Sequence, residues 1–163
     1  VFWRDEEGRI ESGFIDWGRF KRNNLARGLT TGYMCTDLIE QMQESDRGLC
    51  DTFVEEYMRS GGPSISKATF WEHYMLSWLL LGLLCADLPH QIWISSPYTA
   101  VEGWPSIPDH KDPRVFRMPS YTNGNIAMLR NFVHNWKYKD LPGFWKKWRT
   151  AHPAPSPKAK AGA

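Results

Sequence analysis

The residues best suited to chemistry in this 163-residue chain are its histidines and its acidic clusters, and their spacing argues against a catalytic site. His73, His90, His110, His134 and His152 are scattered along the sequence. No two stand three or four residues apart, the spacing that sets two imidazoles side by side on one helix face for a metal ion. At the two ends of one continuous helix, His73 and His90 would be about 25 Å apart and could not share an ion. The pairs Glu6–Glu7 and Glu55–Glu56 are adjacent carboxylates. Neighbours on a helix point roughly 100° apart, so they form solvated surface rather than an acid–base pair. Asp109, His110, Lys111 and Asp112 lie between Pro108 and Pro113 and read as a polar loop. No Gly-rich phosphate loop, Gly-x-Ser-x-Gly elbow, His-Glu-x-x-His helix or Cys-x-x-Cys pair occurs. Three cysteines make neither a disulfide framework nor a zinc site. Cys35 and Cys50 either bridge in an oxidising compartment or stay buried thiols, and Cys85 sits in an apolar run as packing. The expectation is a chain with no catalytic residues, no metal and no cofactor of its own.

The remaining signal is apolar and aromatic. Nine tryptophans are present, and an indole suits membrane–water boundaries and flat protein contacts. The net charge of +2 hides an asymmetry. Residues 1–69 hold nine Lys/Arg against twelve Asp/Glu, whereas residues 95–163 hold eleven against four. In the basic half the cations alternate with Trp, Phe and Tyr, which favours a lipid or protein boundary over an RNA groove. The sequence opens at Val1 and shows no secretory signal or transit peptide in its first thirty residues; a removed organellar presequence would fit the missing Met.

The elements that must position these side chains fall into five stretches. Residues 1–65 read as an N-terminal arm, with Phe2, Trp3, Phe14, Trp17 and Phe20 in an extended or short-helical lead. A helical pattern follows, capped by Asp37 with Glu40 three residues on. Ser45, Asp46 and Gly48 could split it in two, and Gly61-Gly62-Pro63 ends it. Residues 66–94 read as a transmembrane helix capped by Ser66, with thirteen uncharged residues from 74 to 86 and 25 residues from Phe70 to Ile94. Trp71 and Trp93 mark its two edges and Trp78 its middle. Pro89 kinks or ends it, and Asp87 must face a partner or mark the true helix end. Residues 95–124, with five prolines, read as an extended connector. Residues 125–150 read as basic amphipathic helices: Asn125 caps the first, whose apolar stripe is Ile126, Leu129, Val133 and Trp136, and Pro142 opens a short last turn with Trp145 and Trp148. Residues 151–163, rich in Ala, Pro and Lys, read as a disordered tail. The fold class is therefore α, a single transmembrane helix with extended arms and short amphipathic helices. Membrane or partner contact is expected at Trp71, Trp78, Asp87, Trp93, Trp136, Trp145 and Trp148. Arg59 and Lys67 on one side against Lys111 and Arg114 on the other leave the orientation open.

The order of features over residues 68–131 resembles cytochrome c oxidase subunit VIa: an apolar span, a Pro-bearing connection, an Arg-containing stretch, then a Pro-Phe-Pro-Trp-like element leading into Asp-Gly-Asn and a later Asn. Here these are Arg114, Arg117, Pro119, Tyr121, Asn123, Gly124 and Asn125, with Asn131 six residues on. The chain departs from that pattern in reading Pro-Ser-Tyr-Thr without the family's Trp, and in its long N-terminal arm and basic C-terminal helix. The resemblance implies one span with the N-terminus in the matrix and the C-terminus in the intermembrane space. It also implies a place at the periphery of the oxidase and no redox centre. The expected function is that of a non-catalytic supernumerary subunit of a mitochondrial inner-membrane respiratory complex, for assembly, stability or modulation. Its partners would be the other subunits and membrane lipids, with no nucleic acid. The alternatives are an accessory subunit of an NADH dehydrogenase or ATP synthase complex, and a soluble mitochondrial ribosomal or RNA-associated protein using the basic stretch 130–149.

Overall fold

The computed structural model describes residues 2–12, 24–33, 36, 38–96, 103–108, 112–116 and 120–154. Asp37, Cys35, the aromatics Phe14, Trp17 and Phe20, residues 109–111, Pro97, Pro119 and residues 155–163 lie outside them. The chain is α-class. Its one sheet among the described residues is the antiparallel hairpin β1 (Phe2–Arg4) and β2 (Ile10–Ser12). Gly8 turns that hairpin at φ 79°, and the Asp5 carboxylate accepts the Arg9 backbone N–H at 2.8 Å.

Helix α1 (Arg27–Tyr33) is followed by α2 (Ile39–Arg59), which runs unbroken through Gly48 and the Ser45–Asp46 pair where the sequence suggested a split. A glycine inside a helix costs only about 1 kcal/mol. Asp46 turns inward to the Tyr74 hydroxyl (2.9 Å) and to Lys139, so the position that looked like a breaker anchors the helix. Chain reversal follows at Gly61, φ 88°, and the Gly62 N–H donates to the Tyr57 carbonyl at 2.9 Å.

Two helices, α3 (Lys67–Cys85) and α4 (Leu88–Ser95), take the place of the expected single span. Ser66 caps α3 as its sequence position suggests, accepting the Thr69 N–H at 3.0 Å from an extended backbone. Pro89 explains the break. It has no N–H to donate and its ring would collide with the carbonyl four residues back, that of Cys85, where α3 ends. The two axes meet at 42°. No single helix among the described residues is long and apolar enough to cross a membrane; α3 and α4 reach that length and composition only as a bent pair.

After a 3-10 turn at Trp104–Ser106 come α5 (Pro113–Phe116), α6 (Ser120–Tyr138) and α7 (Leu141–Ala151). Helix α6 starts five residues before the expected cap at Asn125, and α7 is a full helix rather than a turn. Asp140 joins them. At φ 45° it ends α6 in the left-handed region, and its carboxylate accepts the Gly143 N–H of α7 at 3.2 Å.

Helix α3 lies at the centre and packs against α1, α2, α4, α6 and α7. Its inner side supplies Phe70, Tyr74, Trp78, Leu81 and Cys85 to the core, beside Val54, Cys50, Leu88, Ile92 and Leu141. Much of the greasiest segment is therefore covered by the chain itself.

Candidate functional site

The uncovered side of α3 is where a site can form. Leu80, Leu83 and Leu84 project outward and are exposed, Leu83 at 74%. Trp93 and Ile94 are exposed on α4, and Val133, Trp136 and Trp145 on α6 and α7. Two grooves follow one another along α6. One, about 540 Å³, lies between α4 and α6, with Ile92, Trp93, Trp104, Leu129 and Val133 among its walls. The other, about 660 Å³, lies between α3, α6 and α7.

The stripe Ile126, Leu129, Val133 and Trp136 of α6 faces the grooves, with Val133 45% exposed. The buried side carries Thr122, Asn125, Asn131 and Asn135. Most of these polar groups are compensated inside, the Asn135 Oδ1 being buried without a hydrogen-bond partner among the described residues: the Ser95 and Thr122 hydroxyls lie 2.9 Å apart, and the Asn131 amide donates to the Thr36 carbonyl at 2.7 Å, as Arg130 does at 2.9 Å. The Asn135 amide donates to the Asn131 carbonyl at 3.0 Å. The inner side of α6 is mixed: Ile126, Met128, Leu129 and Phe132 pack against the core beside these polar residues.

At the end of this seam Lys139 pairs with Asp46, which also accepts the Tyr74 hydroxyl. The two charged side chains are 3% and 5% exposed. The rings of Trp71, Tyr74, Trp78 and Tyr138 stand 5.3–5.8 Å from the ammonium. Burial dominates over the attraction of one carboxylate and pulls the Lys139 ammonium down to about 8. The cluster is closed to solvent and serves to tie α2, α3 and α6 together.

The residues expected to make membrane or partner contacts divide accordingly. Trp93, Trp136 and Trp145 lie on the exposed face. Trp78 does not: at 1% exposure it is core. Its place follows from the helix turn it shares with Tyr74 and Leu81. Trp71 is half-buried, stacked on Tyr74 at 5.3 Å and covered by the Arg47 guanidinium at 4.8 Å. Trp148 stacks between Trp145 and His152 and donates its indole N–H to Glu72 at 2.7 Å. Asp87 is exposed at the α3–α4 break and accepts from the Gln91 amide at 2.6 Å, so it marks the helix end. The pairing of Lys139 with Asp46 is not legible in the sequence, because the two lie 93 residues apart.

Cys50 and Cys85 are free and buried, and burial pushes the Cys50 thiol up to about 11. No group of three His, Cys, Asp or Glu side chains gathers to hold a metal among the described residues. No family model, no curated protein and no solved structure matches this chain.

Proposed function

We propose that the chain is a non-catalytic subunit of a multi-subunit membrane complex, seated through the outer face of α3, α4, α6 and α7. One observation carries the proposal: Leu80, Leu83, Val133 and Trp136 are exposed and line the apolar grooves along α6. Burying a Leu or Ile side chain fully is worth about 1.5–3 kcal/mol. Water-facing monomers rarely leave a continuous patch of such residues uncovered. The face is bordered by indoles (Trp93, Trp136, Trp145), the ring type that prefers boundaries between apolar and wet surroundings.

The finer reading places the bent α3–α4 pair in the bilayer as a broken span, within a mitochondrial inner-membrane respiratory complex, cytochrome c oxidase first. Its support is the length and composition of that pair and the sequence resemblance over 68–131. Carbonate extraction of membranes and native electrophoresis of the tagged full chain test both levels. The expected result is a chain that stays in the membrane pellet and migrates with oxidase activity. Migration with a dehydrogenase or synthase band keeps the subunit role and replaces the oxidase. A chain released by carbonate and running alone overturns the proposal.

A further inference from the structure

We infer that the groove between α3, α6 and α7 binds one anionic lipid, with an acyl chain along the groove and its phosphate at Lys146 and Arg149 of α7. The groove is lined by Leu76, Leu79, Leu80, Leu83, Phe132 and Trp136, and Trp145 closes one end. Its volume, about 660 Å³, falls within the roughly 300–1,000 Å³ typical of small-molecule sites. Gly82 makes the floor possible. A Cβ there would stand 2.6 Å from Phe132 Cζ, so only a residue without a side chain lets that ring lie against α3.

Trp145 is also a wall of a second depression, about 360 Å³, formed with Lys146, Arg149 and Thr150. The apolar groove and the cationic depression thus share one indole. Helix α7 carries Lys146, Lys147 and Arg149 and no acidic residue between Leu141 and Ala151. The Arg149 guanidinium stands over the Trp145 ring, 5.9 Å from its centroid. An apolar trough ending at two cations matches an amphiphile with a negative head. A neutral lipid would leave the cations unused, and a free anion would leave the trough unused.

The site rests on the membrane setting proposed above, and its test is run on the purified full chain in solution. Native mass spectrometry with octanoyl and decanoyl lysophosphatidylglycerol, below their micelle concentrations, reads the binding directly. The expected result is a saturable one-to-one adduct that tightens about fourfold per added methylene. The matching lysophosphatidylcholine should bind about tenfold more weakly, and the double variant Lys146→Glu/Arg149→Glu should lower phosphatidylglycerol binding to that level. Leu83→Asn/Trp136→Ala, both changes on exposed side chains, should weaken both lipids alike. Equal binding of the two lipids, no effect of chain length, displacement by inorganic phosphate, or indifference to the charge reversal would each overturn the site. Lipid binding that persists in a chain released by carbonate keeps the site and removes the membrane complex. Loss of lipid binding in a chain that stays in the membrane pellet removes only the site.

Discussion

Removing one partner of the Asp46–Lys139 pair should be far worse than removing both. With side chains 5% and 3% exposed, neither charge can reach water if left alone. Asp46→Leu strands the ammonium, and breaking a buried pair this way costs about 3–5 kcal/mol. Lys139→Met strands the carboxylate with the Tyr74 hydroxyl as its remaining donor and should cost somewhat less. The double variant Asp46→Leu/Lys139→Met leaves no charge and loses mainly the Tyr74 hydrogen bond, about 1 kcal/mol. Urea unfolding followed by tryptophan emission measures all four proteins. Single-variant losses that simply add in the double variant would refute the reasoning.

Gly82→Ala should destabilise by about 1–3 kcal/mol in the same assay, because the new methyl must displace the Phe132 ring. Ser66→Ala should cost about 1 kcal/mol through loss of the α3 cap, and Ser66→Asp should restore it. Asp112 is held down to about 2 by the Arg114 guanidinium, so its contribution is complete above the ordinary 3.8 and disappears as pH falls through 2; carboxyl titration by NMR checks the value, and Arg114→Gln should return it to the ordinary range. Leu80→Ser and Leu83→Ser should leave folding within about 0.5 kcal/mol yet weaken retention in membranes, read by unfolding and carbonate extraction of the same variants.

Local rules with nearby partners were legible in the sequence. Ser66 caps α3 because its acceptor and the Thr69 N–H lie three residues apart. Pro89 fixes the helix break because its clash is with its own chain four residues back. What could not be read depends on distant partners. Asp46 and Gly48 look like breakers until Tyr74 and Lys139 arrive from elsewhere in the chain. The Ile126, Leu129, Val133 and Trp136 stripe marks the apolar side of α6, but hydrophobic period carries no information on what an asparagine will meet, so the burial of Asn125, Asn131 and Asn135 is not legible from it. Burial of Asn131 depends on the Thr36 carbonyl, 95 residues away. Of the expected contact residues, Trp93, Trp136 and Trp145 are exposed. The sequence could not tell that Trp78, one turn beyond Tyr74, is enclosed by α3's own neighbours.

The exposed leucines of α3 and the valine and indole of α6 also bear on how the free chain fares. Such side chains are of the kind that chaperones hold and proteases recognise, and marginal populations of that sort are continuously cleared in cells. If the chain is seated in a larger complex, as proposed, its steady amount should follow the number of vacant seats there rather than the rate of its own synthesis.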